Sequence, residues 1–249
     1  MKLCNVIFVV SLAFLVDGYS CRCEKCIKNI PENIQVLPLE KCTEYTRYES
    51  ELGPAKEDGK LFEKILKKRV ARFNNVAGTI IIFPDGVKKE VYRSAFLSES
   101  PKALEELVKK RKIKTIINVY NTDKFDITPW VEKEKRLFDS YGGSTYIHVR
   151  DFKYRYETEE GKQIIFKKIR SILQMIRCSE GNVLIHCMGG EHNTGVIFAI
   201  LRKLYQQVDL DVIIQEYKCH CGWVSDDTLN GVYQVNIDII KEFPNYYDE

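Results

Sequence analysis

The stretch NVLIHCMGGEHNTG, residues 182–195, decides the fold. Val183, Leu184 and Ile185 form a short apolar run that ends on a polar pair, His186-Cys187, and two glycines. A run of that length bounded by glycine reads as a buried strand. From Thr194 the chain turns apolar again through Val196, Ile197, Phe198, Ile200 and Leu201, long enough for a helix to about residue 207. The pattern is therefore strand, tight loop, helix. Gly189 and Gly190 free the backbone angles a tight loop needs, and its N–H groups, together with the helix N-terminus, would form an anion nest over Met188, Gly189, Gly190, Glu191, His192 and Asn193. Cys187 lies at the bottom of that nest, where the same donors favour a nucleophilic thiolate. Thr194 is placed to hydrogen-bond the sulfur and His186 to brace the loop from behind. The blander alternatives are a buried structural cysteine or a disulfide between Cys187 and Cys178.

Outward from this stretch, the chain alternates short extended runs with longer amphipathic ones. Residues 79–83 and 89–93 flank Pro84-Asp85-Gly86, a turn signal that predicts a hairpin. Pro101, Leu104, Leu107 and Val108 predict a helix that leads into a buried strand, IKTIINVY. Helix again follows over 129–141, strand over STYIHVRD, and helix over 159–177 with Ile165, Ile169, Ile172 and Ile176 on one face. Helices over 209–217 and 225–243 close the chain, and Leu61, Ile65, Leu66 and Val70 predict one that leads into the main domain. Such alternation indicates an α/β fold, a mostly parallel central sheet flanked by helices, with ligands beyond the carboxyl ends of the strands. Cys187 and Asp151 both fall at such ends.

VLIHCMGGEHNTGV resembles the signature loop of the cysteine-based protein tyrosine phosphatases: His-Cys, five residues, Arg, then Ser or Thr. The resemblance extends over about residues 73–240, where RFNNVAGTIII, VYRSAFLSE and IKTIINVY are similar to the atypical dual-specificity and bacterial tyrosine-phosphatase branch. It implies Cys187 as nucleophile, Thr194 as its hydroxyl partner, and Asp151 of YIHVRDF as the acid that protonates the leaving oxygen. Two departures stand out. A strand that usually closes on Asp-Leu-Arg here reads Asn118-Val119-Tyr120, and Asn193 stands where the loop arginine belongs. The family's arginine grips two phosphoryl oxygens, two charge-assisted bonds that together represent roughly 3–6 kcal/mol. Their loss should slow turnover by on the order of 10²–10⁴. Glu191 adds a carboxylate that repels a phosphate dianion. His192, or Lys153 and Arg155 reaching over the rim, are the candidates to restore positive charge.

The rest of the sequence sets the context. Thirty-eight basic and 35 acidic residues give a formal net charge of +3 over 249 residues, too weak a field to favour nucleic acid or an anionic membrane. Lys2, the apolar residues 6–16, and Gly18 and Ser20 before Cys21 read as a signal peptide over 1–20. A retained anchor would need about 20 apolar residues, and Asp17 ends the run short. Of nine cysteines, Cys21, Cys23, Cys26, Cys42, Cys178, Cys187, Cys219 and Cys221 follow that segment. An even set on a secretory route suggests disulfides, in any of on the order of a hundred connectivities. Zinc held by CRCEKC and CHC with His220 is the lesser alternative, since neither cluster offers clean paired hooks, so neither metal nor cofactor is expected. The predicted organisation is a signal peptide over 1–20, a Cys-rich extension over 21–58 and a phosphatase-like domain over 59–249.

These features imply a secreted tyrosine-phosphatase-like protein, weak or inactive as an enzyme, that binds a phosphorylated protein or small phosphoester and makes no stable membrane insertion. An active phosphatase working through a Cys187 phosphocysteine is one alternative. A disulfide-stapled interaction protein with a vestigial pocket is the other.

Overall fold

The computed structural model describes residues 60, 61, 63, 64, 75–122, 125–150, 152, 156, 158–220 and 231–245, the side chains at 219 and 231–233 excepted. The predicted signal peptide, the Cys-rich extension, most of the helix expected after Leu61, and Asp151, Lys153 and Arg155 lie outside the described residues.

Among the described residues, five strands form one sheet in the order β1-β2-β5-β3-β4. β1 (Ala77–Ile82) and β2 (Lys88–Ser94) are the antiparallel hairpin, turned through Gly86 at φ +83°. β2 then runs parallel to β5 (Asn182–His186), which is flanked on its other side by β3 (Ile113–Asn118), itself parallel to β4 (Thr145–His148). β5 is thus central and buried, which its continuous apolar run dictates.

The connecting helices are α1 (Pro101–Lys110), α2 (Thr128–Ser140), α3 (Glu159–Cys178) and α4 (His192–Tyr205), followed by α5 (Leu210–His220) and α6 (Gly231–Glu242). Alternate residues of each strand feed opposite layers. Leu184 and Ile116 pack with Leu104, Leu107, Val108 and Phe138 of α1 and α2. Val183, Ile185 and Ile117 pack with Ile169, Ile172, Ile197, Ile213 and Ile240 of α3 to α6. Thr158 starts α3 by accepting a hydrogen bond from Gly161 N at 3.0 Å, a side-chain cap on an otherwise unsatisfied donor.

One boundary differs in a way that matters. The helix after the signature loop begins at His192, not at Thr194. Gly195 N bonds Glu191 O at 3.0 Å, so His192 and Asn193 belong to the first helical turn. Among the described residues, no helix is long and apolar enough to cross a membrane.

Candidate phosphate-binding site

Cys187 follows the last residue of β5 and is buried, 4% exposed. Around it, six successive carbonyls are held by donors outside the loop. His186 O accepts from Val119 N at 2.8 Å, Met188 O from Phe96 N at 2.9 Å, and Glu191 O from Gly195 N at 3.0 Å. Cys187 O lies 3.1 Å from His186 Nδ1, Gly189 O accepts from Asn75 Nδ2 at 2.9 Å, and Gly190 O accepts from Arg93 Nη2. In a trans peptide unit the N–H points opposite to the C=O. Carbonyls fixed outward over residues 187–190 therefore turn the N–H groups of Met188, Gly189, Gly190 and Glu191 toward the concave side. Gly190 makes this turn at φ +70°, and a Cβ there would sit 2.4 Å from Ser94 O, so only glycine fits.

Arg93 and Asn75 support the loop from β2 and from the residue pair before β1. Arg93 is 2% exposed, with its guanidinium 5.4 Å from the Phe198 ring centroid. Asn75, at φ +46°, also donates to His220 O at 3.2 Å and accepts from His220 Nδ1 at 2.7 Å, joining the loop to the end of α5. Burial, reinforced by Arg93 and Arg202, lowers the His220 pKa to about 2.

Behind Cys187, Glu134 is fully buried in α2. Its carboxylate accepts from Leu97 N at 2.7 Å and Tyr146 Oη at 2.6 Å. It also comes within 2.9 Å of His186 Nε2, off the line of a straight hydrogen bond. Phe96 meets the His186 ring edge to face at 4.9 Å. Tyr120 packs against the apolar cluster that contains Cys187. Burial pushes its hydroxyl up to about 12, a bond with Thr122 opposes that, and the neighbouring Cys187 adds to it.

Asn193 does not turn its amide inward: Nδ2 donates to Val119 O at 2.9 Å, tying the first turn of α4 to the exit of β3. Glu191 is 2% exposed, and its Oε1 would lie 2.7 Å from a Cβ placed on Gly189. The His192 ring lies against α6, with Nδ1 3.5 Å from Asn236 Nδ2. Thr194 Oγ1 is buried and, among the described residues, has no hydrogen-bond partner, so the bond to sulfur expected from the sequence is not made. The Met188 side chain packs into a cluster with Phe96 and Trp130. Cys178 and Cys187 are both free and lie at opposite ends of β5, too far apart for a bridge. Among the described residues no group of three or more metal-binding side chains occurs.

Asn75, Arg93 and Glu134, which support the loop, lie outside the signature pattern. Two carried a signal. Glu134 falls four residues from both Trp130 and Phe138, on the buried stripe of α2, and Arg93 falls in a strand that is interior to the sheet, between β1 and β5. An ionisable group on an apolar stripe marks a buried polar partner.

A central parallel strand that delivers a buried cysteine to a loop with inward amides defines the class: an α/β protein with a cysteine loop at the carboxyl end of its sheet. Residues 84–244 match the sequence model of the tyrosine phosphatase family, and the chain belongs to that family. No curated protein sequence matches it. Among solved structures, the chain is similar to the core catalytic domain of the PP-IP phosphatase SIW14 from S. cerevisiae in complex with citrate. Identity is 19%, the match covers 62% of this chain and 81% of that one, and the TM-score is 0.43. It is also similar to TpbA of P. aeruginosa, at 19% identity over 61% of this chain and 78% of that one, with a TM-score of 0.41.

Proposed function

We propose that this chain is a secreted pseudophosphatase: a tyrosine-phosphatase-family protein that binds a phosphorylated protein or small phosphoester and hydrolyses it weakly or not at all. The observation that carries the reading is the hydrogen bond from Asn193 Nδ2 to Val119 O. The position that supplies the family's gripping cation is occupied by a neutral amide, and that amide is engaged with the backbone. Arg93 does not replace it, because its Nη2 bonds the outward-facing Gly190 carbonyl. The buried Glu191 further disfavours a dianion in the transition state, where charge stabilisation matters most. The cradle of amides is the part that survives, and convergent amides alone hold anions.

Thermal melting with orthovanadate, and with inorganic phosphate, tests the reading. Anion bound only to the folded chain raises the melting temperature with concentration, while aryl-phosphate turnover stays near the uncatalysed rate. Rapid Cys187-dependent turnover would favour the active phosphatase, and melting indifferent to both anions would favour the vestigial pocket. The secretory route rests on residues 1–20. Intact mass of chain recovered from the medium should correspond to a start at Cys21, and a mass that retains residues 1–20 would contradict the assignment.

A further inference from the structure

The carboxyl end of the sheet carries a second feature beside the cysteine loop. Asn121, Ile127, Thr128, Val131, His148 and Arg150 line an open cleft between the exits of β3 and β4 and the start of α2. Register fixes its distance from the loop. Asn118 pairs with His186 on one side and with His148 on the other, so the three residues form one row across the sheet end. Two strand spacings put the cleft roughly 10 Å from the Cys187 loop. Tyr120 joins the two: its side chain packs against the apolar cluster that contains Cys187, and its carbonyl is 2.9 Å from His148 Nε2.

The lining has a definite chemistry. Ile127 and Val131 are apolar, Asn121 and Thr128 supply polar groups, and Arg150 is an exposed cation that, among the described residues, is in no ion pair. Asp126 is the acidic neighbour, with Oδ1 accepting from Thr128 N at 2.9 Å. Its charge weakens the hold of the cleft on a lone anion, so a guest needs a second anchor. The amide loop is such an anchor.

Resting on the proposed phosphoester binding, we infer that this cleft is a second anion subsite, selecting phosphoesters that carry another anionic group roughly 10 Å from the phosphoryl group. The phosphoryl group sits in the loop, the hydrocarbon spacer lies along Ile127 and Val131, and Arg150 takes the distal anion in its fork. The ligand class is a bis-anionic phosphoester, whether a small bisphosphate or a phosphorylated side chain with an acidic neighbour.

Titration calorimetry of the full secreted chain with hexyl monophosphate and with a hexanediol bisphosphate tests this. The bisphosphate should bind about fivefold more tightly, the scale of one exposed ion pair, with the advantage shrinking as salt rises. Arg150→Gln should remove that advantage, leave monophosphate affinity unchanged, and leave the melting temperature in place, because the side chain is exposed. Arg150→Lys should restore part of it. Equal affinity for the two ligands on the wild-type chain, or a bisphosphate advantage that persists in Arg150→Gln, overturns the subsite while leaving the loop assignment intact. Failure of both ligands to bind overturns the loop assignment and the subsite with it. Peptides with and without an acidic residue beside phosphotyrosine, run in parallel, separate the two sources of the distal anion.

Discussion

Glu134 occupies a position on α2 that helical periodicity would assign to an apolar residue, between Trp130 and Phe138. It is tolerated there because a backbone N–H, a tyrosine hydroxyl and the His186 ring all converge on it. Burial, with the carboxylate adding to it, holds Tyr146 well above its usual pKa, so that hydroxyl remains a donor. Glu134→Gln keeps the shape but turns an NH₂ group toward partners that need acceptors. It should cost about 2–4 kcal/mol in urea unfolding. A loss below about 0.5 kcal/mol would mean that the convergence on the carboxylate has no energetic weight. Asn193 is the complementary case. Its departure from the family pattern was legible in one letter, but its bond to Val119 O was not, because an amide's direction depends on which carbonyl the fold brings near.

At the scale of elements, the hairpin, the alternation and the central strand were legible because each follows from periodicity and turn residues. The start of α4 was not: glycines and polar residues look like loop until Glu191 O is seen to accept from Gly195 N. Nor could the contact between α5 and Asn75 be read, since the partners stand 145 positions apart. That contact has a pH signature. The folded His220 pKa, about 2, lies below the ordinary 6.5, so the stability it contributes is fully present above pH 6.5 and is lost as pH falls toward the folded value. Between pH 7.5 and pH 5.5 the urea-unfolding free energy should drop by about 1 kcal/mol from this group. His148, lowered first by burial, adds in the same direction. His220→Gln should show a visibly smaller drop over the same interval. An equal drop in the variant would place the acid sensitivity elsewhere.

Over the whole molecule, the supports of the loop are spread over several elements: Arg93 on β2, Phe96 after it, Val119 after β3, Glu134 of α2 behind His186, and Asn75 before β1, itself joined to the end of α5. That distribution means that the cradle needs neither a cation at residue 193 nor a ligand to hold its shape, for the amides are fixed by the core. It also sets the cost of placing a cation at residue 193. Asn193→Arg gives up the bond to Val119 O, about 1 kcal/mol of stability, and should lower the melting temperature slightly while keeping a cooperative transition. The most direct measurement is aryl-phosphate turnover by Asn193→Arg, with and without Cys187→Ser. The expected result is a rise of at least about 10²-fold over wild type, from two regained charge-assisted bonds, that disappears with Cys187→Ser. A cooperatively folded Asn193→Arg with no Cys187-dependent turnover would contradict the view that the missing cation is what silences this loop.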